Sequence, residues 1–355
     1  MFSIIMNTKI VNIATENPRL KLSQKESLAI LHREKKLSRR EKVLYESFLS
    51  DKGIRYRYFS AQNIKDFFIE DQNLIIKRFQ ESATHLSAAS IEKCIKESKI
   101  SRDRIGCLVV STCTGYLCPG LTSYIIEKAG LRKDIFAMDI VGMGCGGALP
   151  ALQACHNYLN THKDTYALAV STEICSSALF WGDDPELILS NSIFGDGSAA
   201  CLLTNRSDKS GFSIINFASK IAPHHRDTLR FRTENSRLRN VIKEAVPGIA
   251  AELTRDIAGV LLREHGFKQD DIKFWALHPG GRKVLDRIQE EINLKAADLA
   301  YSRRVLYNYG NMSSPTVLYV LKEIFKDKML DKGDMVFMAS FGAGFSGHAG
   351  LLCYE

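Results

Sequence analysis

The sequence predicts an α/β protein of two similar halves, each with a parallel or mixed sheet sandwiched by helices. Three observations carry that expectation. Short apolar runs of strand length alternate with helical stretches along the whole chain. From about Gly211 the same order of elements begins again, as an internal duplication would require. Each half also closes on a strand, a glycine turn and a second strand. The expected division is residues 1–210 and 211–355.

In chain order, residues 9–15 read as the first strand and 23–50 as a polar helical stretch. The basic run HREKKLSRREK within it reads as a solvated helix face; the alternative is a rim that attracts an anionic ligand, with Lys52, Arg55 and Arg57 just beyond. Helical spacing returns over 74–99 and 121–130, on either side of an apolar strand at 107–112 that ends in Cys113, Thr114 and Gly115. Residues 135–141 read as a buried strand, Gly142, Gly144, Gly146 and Gly147 as a tight turn, and Ala148 onward as a helix. Cys145 therefore stands where a strand hands over to a helix. A strand at 166–172 ends in Glu173, Ile174 and Cys175; a loop around 181–186 then leads to Phe194, a Gly195-Asp196-Gly197 turn and a strand at 198–204.

The second half offers a strand near Ile214, a basic and polar excursion over 224–239, and a helix over 248–265. A strand at 273–277 ends in His278-Pro279-Gly280-Gly281, and a helix follows. Tyr309-Gly310-Asn311 opens the last helix, 315–325; the strands 335–340 and 345–353 close the chain around a Phe341-Gly342-Ala343-Gly344 turn.

Composition narrows the function. A chain of 355 residues, 45% hydrophobic and 25% charged, has the material for a large core. It has no apolar run of about 18 residues to cross a bilayer, and the opening MFSIIMNTKIVNIAT is too short in apolar residues for a secretory signal. A cytoplasmic protein is expected. Nine cysteines form an odd set without CxxC pairs or histidines at zinc spacing, so neither a disulfide framework nor a metal site is expected. The net charge of +8 arises from 48 basic residues interleaved with 40 acidic ones, without an aromatic-basic stripe. That pattern argues against nucleic acid and suits a small anionic substrate, such as one carrying phosphates.

Cys145 is the candidate nucleophile. The start of a helix presents unpaired N–H groups and the positive end of its dipole, which favour a thiolate, and the flanking glycines let an amide approach a developing oxyanion. His278, at a strand end before a constrained turn, supplies a proton acceptor and donor. Asn311, which alone would read as an N-cap, supplies a neutral hydrogen-bond donor. In a two-half architecture these three lie at strand or helix ends that converge on one site. Together they are the parts that acyl transfer requires.

At these residues the chain resembles the type III polyketide synthases of the chalcone synthase superfamily. The resemblance runs from IATENP through PGLTSYIIEKAGL, GMGCGG, FGDGSAA, VPG, ALHPGG and YGNMSSPTV to SFGAG. It implies the thiolase fold, a homodimer, and no cofactor beyond the coenzyme A thioesters used as substrates. Cys145 would accept an acyl group from an acyl-CoA starter or an acyl carrier protein. His278 and Asn311 would polarise the malonyl-CoA thioester and stabilise the enolate left by decarboxylation. An imidazolium at His278 would lower the thiol pKa through an ion pair.

Further residues carry over one at a time. Phe194 matches the gatekeeper between coenzyme A tunnel and cavity, and Asn240 stands at the second gatekeeper position in place of phenylalanine. Cys113, Thr114, Cys175, Ala178, Ser313 and the Gly342-Ala343-Gly344 loop fall on cavity-lining positions. Cys118 matches the residue that reaches into the partner subunit's cavity. For coenzyme A, Lys52 matches one of three basic positions, the others reading Phe48 and Tyr45; Arg55, Arg282 and Lys283 are the expected replacements by charge and location, and Gly281 is expected at the same site. The expected reaction is iterative decarboxylative Claisen condensation followed by cyclisation or release. The alternatives are a single-step condensing enzyme of the ketoacyl synthase III type and a Cys-His-Asn thioester hydrolase.

Overall fold

The computed structural model describes residues 8–355, so the reading of the opening segment rests partly on residues 1–7, outside the described residues. The first half contains β1 (Lys9–Glu16), β2 (Leu20–Ser23), α1 (Gln24–Glu34), α2 (Arg39–Leu49), β3 (Tyr56–Phe59) and α3 (Gln72–Ser98). It continues with β4 (Ile105–Thr112), α4 (Leu121–Lys128), β5 (Phe136–Val141), α5 (Ala148–Leu159), β6 (Tyr166–Glu173), α6 (Pro185–Ile193) and β7 (Gly197–Thr204). The second half holds β8 (Phe212–Ile221), β9 (Leu229–Glu234), β10 (Arg237–Ile242), α7 (Val246–Glu264), β11 (Ile272–Leu277) and α8 (Arg282–Glu291). It ends with α9 (Ala300–Tyr309), α10 (Thr316–Phe325), β12 (Met335–Gly342) and β13 (Ser346–Tyr354).

The main sheet runs β11-β12-β13-β8-β1-β7-β6-β4-β5. The duplication is visible in its pairing. In the order β4-β6-β7-β1 the contacts are parallel, antiparallel, antiparallel, and β11-β12-β13-β8 repeats that sequence. The two leaves meet where β1 pairs with β8 at Lys9↔Ser213 and Ile10↔Phe212.

Strand alternation then builds the layers. On β4, Cys107 and Val109 face a central core with α5 and α10, whereas Leu108 and Val110 face α3 and α4. On β11, Phe274 and Ala276 join the same central core, whereas Trp275 and Leu277 pack with α7 and α8. Helices, sheet, helices, sheet and helices follow one another, and α5 and α10 are the buried middle layer. The strand ends beside that middle layer carry the candidate site.

Several local readings are corrected. The run 135–141 is not buried: β5 is the edge of the sheet, with Phe136 and Val141 each 46% exposed. Apolar residues there reflect an uncovered edge and not a core. The stretch 23–50 breaks into α1 and α2, because Ser38 caps the second helix in a capping box with Glu41. The presumed loop before Phe194 contains α6, started by Asp184 as N-cap and Pro185 at N1. The excursion over 224–239 contains the hairpin β9–β10, turned by Asn235 and Ser236, both at positive φ.

Candidate active site

Cys145 lies in a 3-10 turn, Gly144–Gly146, between β5 and α5. The second half presses against this turn. A Cβ on Gly342 would stand 2.1 Å from the Met143 carbonyl oxygen and 2.5 Å from the Gly146 nitrogen, so only glycine fits behind the Cys145 turn. His348 of β13 packs there as well, its Cδ2 3.1 Å from where a Cβ of Gly146 would be.

His278 continues from β11 by donating its backbone N–H to the Ala339 carbonyl at 2.8 Å. Its buried ring meets Phe341 edge-on at 5.2 Å, and among the described residues neither ring nitrogen has a hydrogen-bond partner. Asn311 is not the N-cap of α10, which begins at Thr316 after Pro315. Instead its Oδ1 accepts the Ser313 N–H at 2.8 Å and its Nδ2 donates to the Gly280 carbonyl at 3.0 Å. One amide hydrogen of Nδ2 is thereby used to orient the side chain, and the other is directed toward Cys145.

Burial acts against the expected thiolate–imidazolium pair. Burial pushes the Cys145 thiol up to about 12, with hydrogen bonds from Ser313 and Asn311 acting in the opposite sense. Burial likewise pushes His278 down to about 3. The helix start does not offset the loss of water, because Gly147 and not Cys145 is the residue next to α5. Burial thus disfavours charge on both groups, and both ring nitrogens of His278 are open to a ligand among the described residues.

Two spaces meet at Cys145 and Phe194. One, of about 550 Å³, is a tunnel that also reaches His278, Asn311, Gly281, Arg282 and Lys283. The other, of about 340 Å³, is a cavity walled by Cys113, Thr114, Cys175, Ala178, Asn240, Ser313 and Ala343. Of the residues expected in the cavity, Gly342 and Gly344 do not line it: Gly342 backs the Cys145 turn, and Ala343 alone of that loop reaches the wall. Cys118 is exposed and lines neither space. Arg55 is also away from the tunnel, its N–H bound to the Tyr307 carbonyl and its guanidinium over the Tyr56 ring. Lys52 lines an adjoining concavity of about 420 Å³ with Arg282, Arg303, Arg304 and Tyr307.

Sequence reasoning missed Glu173 as a member of the site. This fully buried carboxylate accepts the N–H groups of Cys113 (2.9 Å) and Thr114 (3.1 Å) and the hydroxyls of Thr114 (2.8 Å) and Ser314 (2.6 Å). It ties the end of β4 in the first half to the loop after Asn311 in the second. Burial raises its pKa, against those hydrogen bonds. The hairpin β9–β10, which contributes Asn240 and Leu238 to the cavity wall, was also unforeseen. Its signal was the alternation of apolar and charged residues in LRFRTE and RLRNVI.

Comparison with known proteins agrees with this geometry. The family model for FAE1/type III polyketide synthase-like proteins matches residues 12–232. The model for the C-terminal domain of chalcone and stilbene synthases matches residues 214–352. The 3,5-dihydroxyphenylacetyl-CoA synthase of Amycolatopsis balhimycina is 28% identical over 278 residues, which cover 78% of this chain and 75% of that protein. The 1,3,6,8-tetrahydroxynaphthalene synthase of Streptomyces coelicolor is 25% identical over 315 residues, covering 86% and 82%. The crystal structure of PKS-I from the brown alga Ectocarpus siliculosus superposes with a TM-score of 0.89 at 25% identity, over 98% of each chain.

Proposed function

The chain belongs to the type III polyketide synthase family, acyltransferases that condense malonyl-CoA iteratively, and we propose that it builds its product on Cys145. The observation that carries this reading is the position of Cys145, His278 and Asn311 on one wall of the tunnel, with Cys145 also facing the cavity. A starter acyl-CoA in the tunnel loses its acyl group to the Cys145 sulfur. His278 takes the thiol proton and keeps it, and coenzyme A leaves as its thiolate. Malonyl-CoA then occupies the tunnel. The protonated His278 and the second Nδ2 hydrogen of Asn311 hold its thioester oxygen as carbon dioxide departs, so that the negative charge of the enolate forms against two donors. The enolate carbon attacks the acyl–Cys145 carbonyl, the sulfur leaves as thiolate, and a chain longer by two carbons rests on coenzyme A. Return of that chain to Cys145 starts the next cycle. Decarboxylation itself generates the carbon nucleophile, so this scheme calls on no metal or redox cofactor.

The phosphates of coenzyme A fit the concavity of Lys52, Arg282, Arg303 and Arg304 beside the tunnel mouth better than the mouth itself. The mouth carries Asp51, Asp184, Glu186 and Glu244 against Lys243, Arg282 and Lys283. The reading further includes a homodimer formed through the β5 edge, where Phe136, Met138 and Val141 are exposed on a strand paired on one side only, with β4, among the described residues. No helix among the described residues is long and apolar enough to cross a membrane. The proposed site of action is the cytoplasm, and the proposed role is in secondary metabolism.

The test is mass spectrometry of the purified protein with a panel of acyl-CoAs, with and without malonyl-CoA. An acyl adduct on Cys145 and products that step by acetate units support the reading. Release of free acid without malonyl-CoA would replace it with a hydrolase, and a single added unit with a one-step condensing enzyme. An adduct formed only from an acylated carrier protein would change the donor of the starter.

A further inference from the structure

One buried cation has no part in that scheme. Arg57, on β3, is 3% exposed, and among the described residues its guanidinium hydrogen bonds all go to neutral acceptors. Nε donates to Gln24 Oε1 at 2.8 Å; Nη1 donates to the carbonyls of Asn191 and Phe194, both at 2.8 Å. Asp196 acts on it only through charge. A buried guanidinium costs solvation, and what it gains here is a place at the C-terminal end of α6.

The Ser190 carbonyl at that helix end accepts the Phe194 N–H at 3.2 Å, and the carbonyls of residues 191–194 are bound to Arg57, Gln24 or Asn311. The Asn191 and Phe194 carbonyls accept from Arg57. The Ser192 carbonyl accepts from Gln24 Nε2 at 2.8 Å, and Gln24 is held in turn by Arg57. The Ile193 carbonyl accepts the Asn311 N–H at 2.9 Å, and Gly195 N–H returns a bond to the Asn311 carbonyl at 3.0 Å. The stem of Arg57 also fills the space under the turn before Asn311. A Cβ on Gly310, which has φ +69°, would stand 2.7 Å from Arg57 Cγ.

We propose that Arg57 is a positioning residue for condensation, fixing the end of α6 so that Phe194 and Asn311 keep their spacing where tunnel meets cavity. The proposal rests on the polyketide synthase reading above. Cys145 stands on the separate β5–α5 turn, so loss of Arg57 disturbs the gate and the enolate-binding amide while the nucleophile stays in place.

The test compares Arg57→Met and Arg57→Lys with the wild-type protein by product distribution, malonyl-CoA decarboxylation and alkylation of Cys145 by iodoacetamide. In Arg57→Met, turnover falls by about tenfold or more, in line with the cost of a small misplacement at a reacting centre. Products shift toward early release, and decarboxylation falls with turnover, while alkylation stays within about twofold of wild type. Arg57→Lys recovers part of the turnover, since an ammonium reaches one of the two carbonyls. A folded Arg57→Met with wild-type turnover and products overturns the proposal, as does one that loses Cys145 alkylation in parallel with turnover. If Arg57→Met does not fold, Gln24→Met decides by the same readouts, because it removes the bond to Ser192 and the acceptor of Arg57 Nε while the two Nη1 bonds of Arg57 remain. A wild-type chain that makes no polyketide overturns the underlying reading, and this proposal with it, before any variant is compared.

Discussion

Phe194 and Asn311 sit opposite each other in a single parallel bridge, 117 positions apart in the chain and drawn from the two halves of the fold. The backbone of Asn311 is bonded on one side to Ile193 and on the other to Gly195. The aromatic ring at the neck of the cavity and the amide in the tunnel are thus parts of one rigid junction. Cys145 reaches that junction from a third segment, the turn after β5, and Gly342 supports it from behind. The separate anchoring of nucleophile and amide makes their roles separable by substitution.

Cys145→Ala is expected to abolish condensation and the acyl adduct while malonyl-CoA decarboxylation persists. Asn311→Ala and His278→Ala are expected to lose both activities, each by about a hundredfold or more, since each removes a donor to the enolate. Carbon dioxide release and polyketide formation, measured in parallel, check the partition. Retained decarboxylation in the Asn311 and His278 variants would refute their assignment.

Gly342→Ala should damage the nucleophile without touching substrate. Its Cβ has no room beside the Met143 carbonyl and the Gly146 nitrogen, so either the Cys145 turn or the β12–β13 turn must move. Overpacking of this kind costs about 1–3 kcal/mol. A lowered unfolding midpoint and slower alkylation of Cys145 are the expected outcome; a wild-type midpoint with wild-type alkylation would show that the turns yield freely.

Much of this was readable before the structure, for physical reasons that can be named. The central strands and α10 announce themselves by continuous apolar runs, and Cys145, His278 and Asn311 lie in glycine-rich or proline-flanked contexts that only special backbone needs explain. What was hidden depended on distance in sequence. Glu173 looks like the polar end of a strand until Cys113, Thr114 and Ser314 are brought to it. The apolar run of β5 carries no sign that it ends the sheet, since an edge and a core strand share one composition. Burial of Cys145, which opposes the effect of the helix start on its thiol, is set by both halves of the chain and cannot be read from the local sequence.

The β5 edge gives a prediction about assembly. Replacing Met138, 38% exposed, with lysine places a charge in the middle of the exposed apolar strand. The wild-type protein should elute as a dimer by light scattering after size exclusion, and Met138→Lys should shift toward monomer. An unchanged mass would move the interface elsewhere.

His348 sets a pH dependence of stability. Burial pushes it down to about 4, and Ser219 holds its Nδ1 at 2.8 Å while Nε2 has no partner among the described residues. In the unfolded chain a histidine takes its proton near pH 6.5, so between about pH 6.5 and 4 the unfolded state binds more protons. The contribution is therefore whole above pH 6.5 and is lost as pH falls toward 4, at up to about 1.4 kcal/mol per pH unit. His278 acts in the same direction, whereas Glu173 and Asp196, whose pKa values burial raises, act in the opposite one. His348→Gln isolates the one term. Its urea midpoint should fall less steeply than wild type between pH 6.5 and 4.5, and equal slopes would mean that His348 takes its proton at the same pH in the folded and unfolded chains.

Asn240 decides the room available to the growing chain. It stands in the cavity wall on β10, buried, in the same cavity that Phe194 lines. Asn240→Phe exchanges a small amide for a ring in a space of about 340 Å³, so later intermediates lose room that the starter does not need. Acylation of Cys145 by the preferred starter should then stay within about threefold of wild type, while the product distribution shifts to fewer acetate units, because a one-residue change in an apolar pocket is worth about 1–3 kcal/mol of discrimination. Mass spectra of total products at equal turnover provide the measurement. If the number of units is unchanged while acylation slows, Asn240 governs entry of the starter, and the length of the chain is set on the other wall, by Cys113, Cys175 and Ala178.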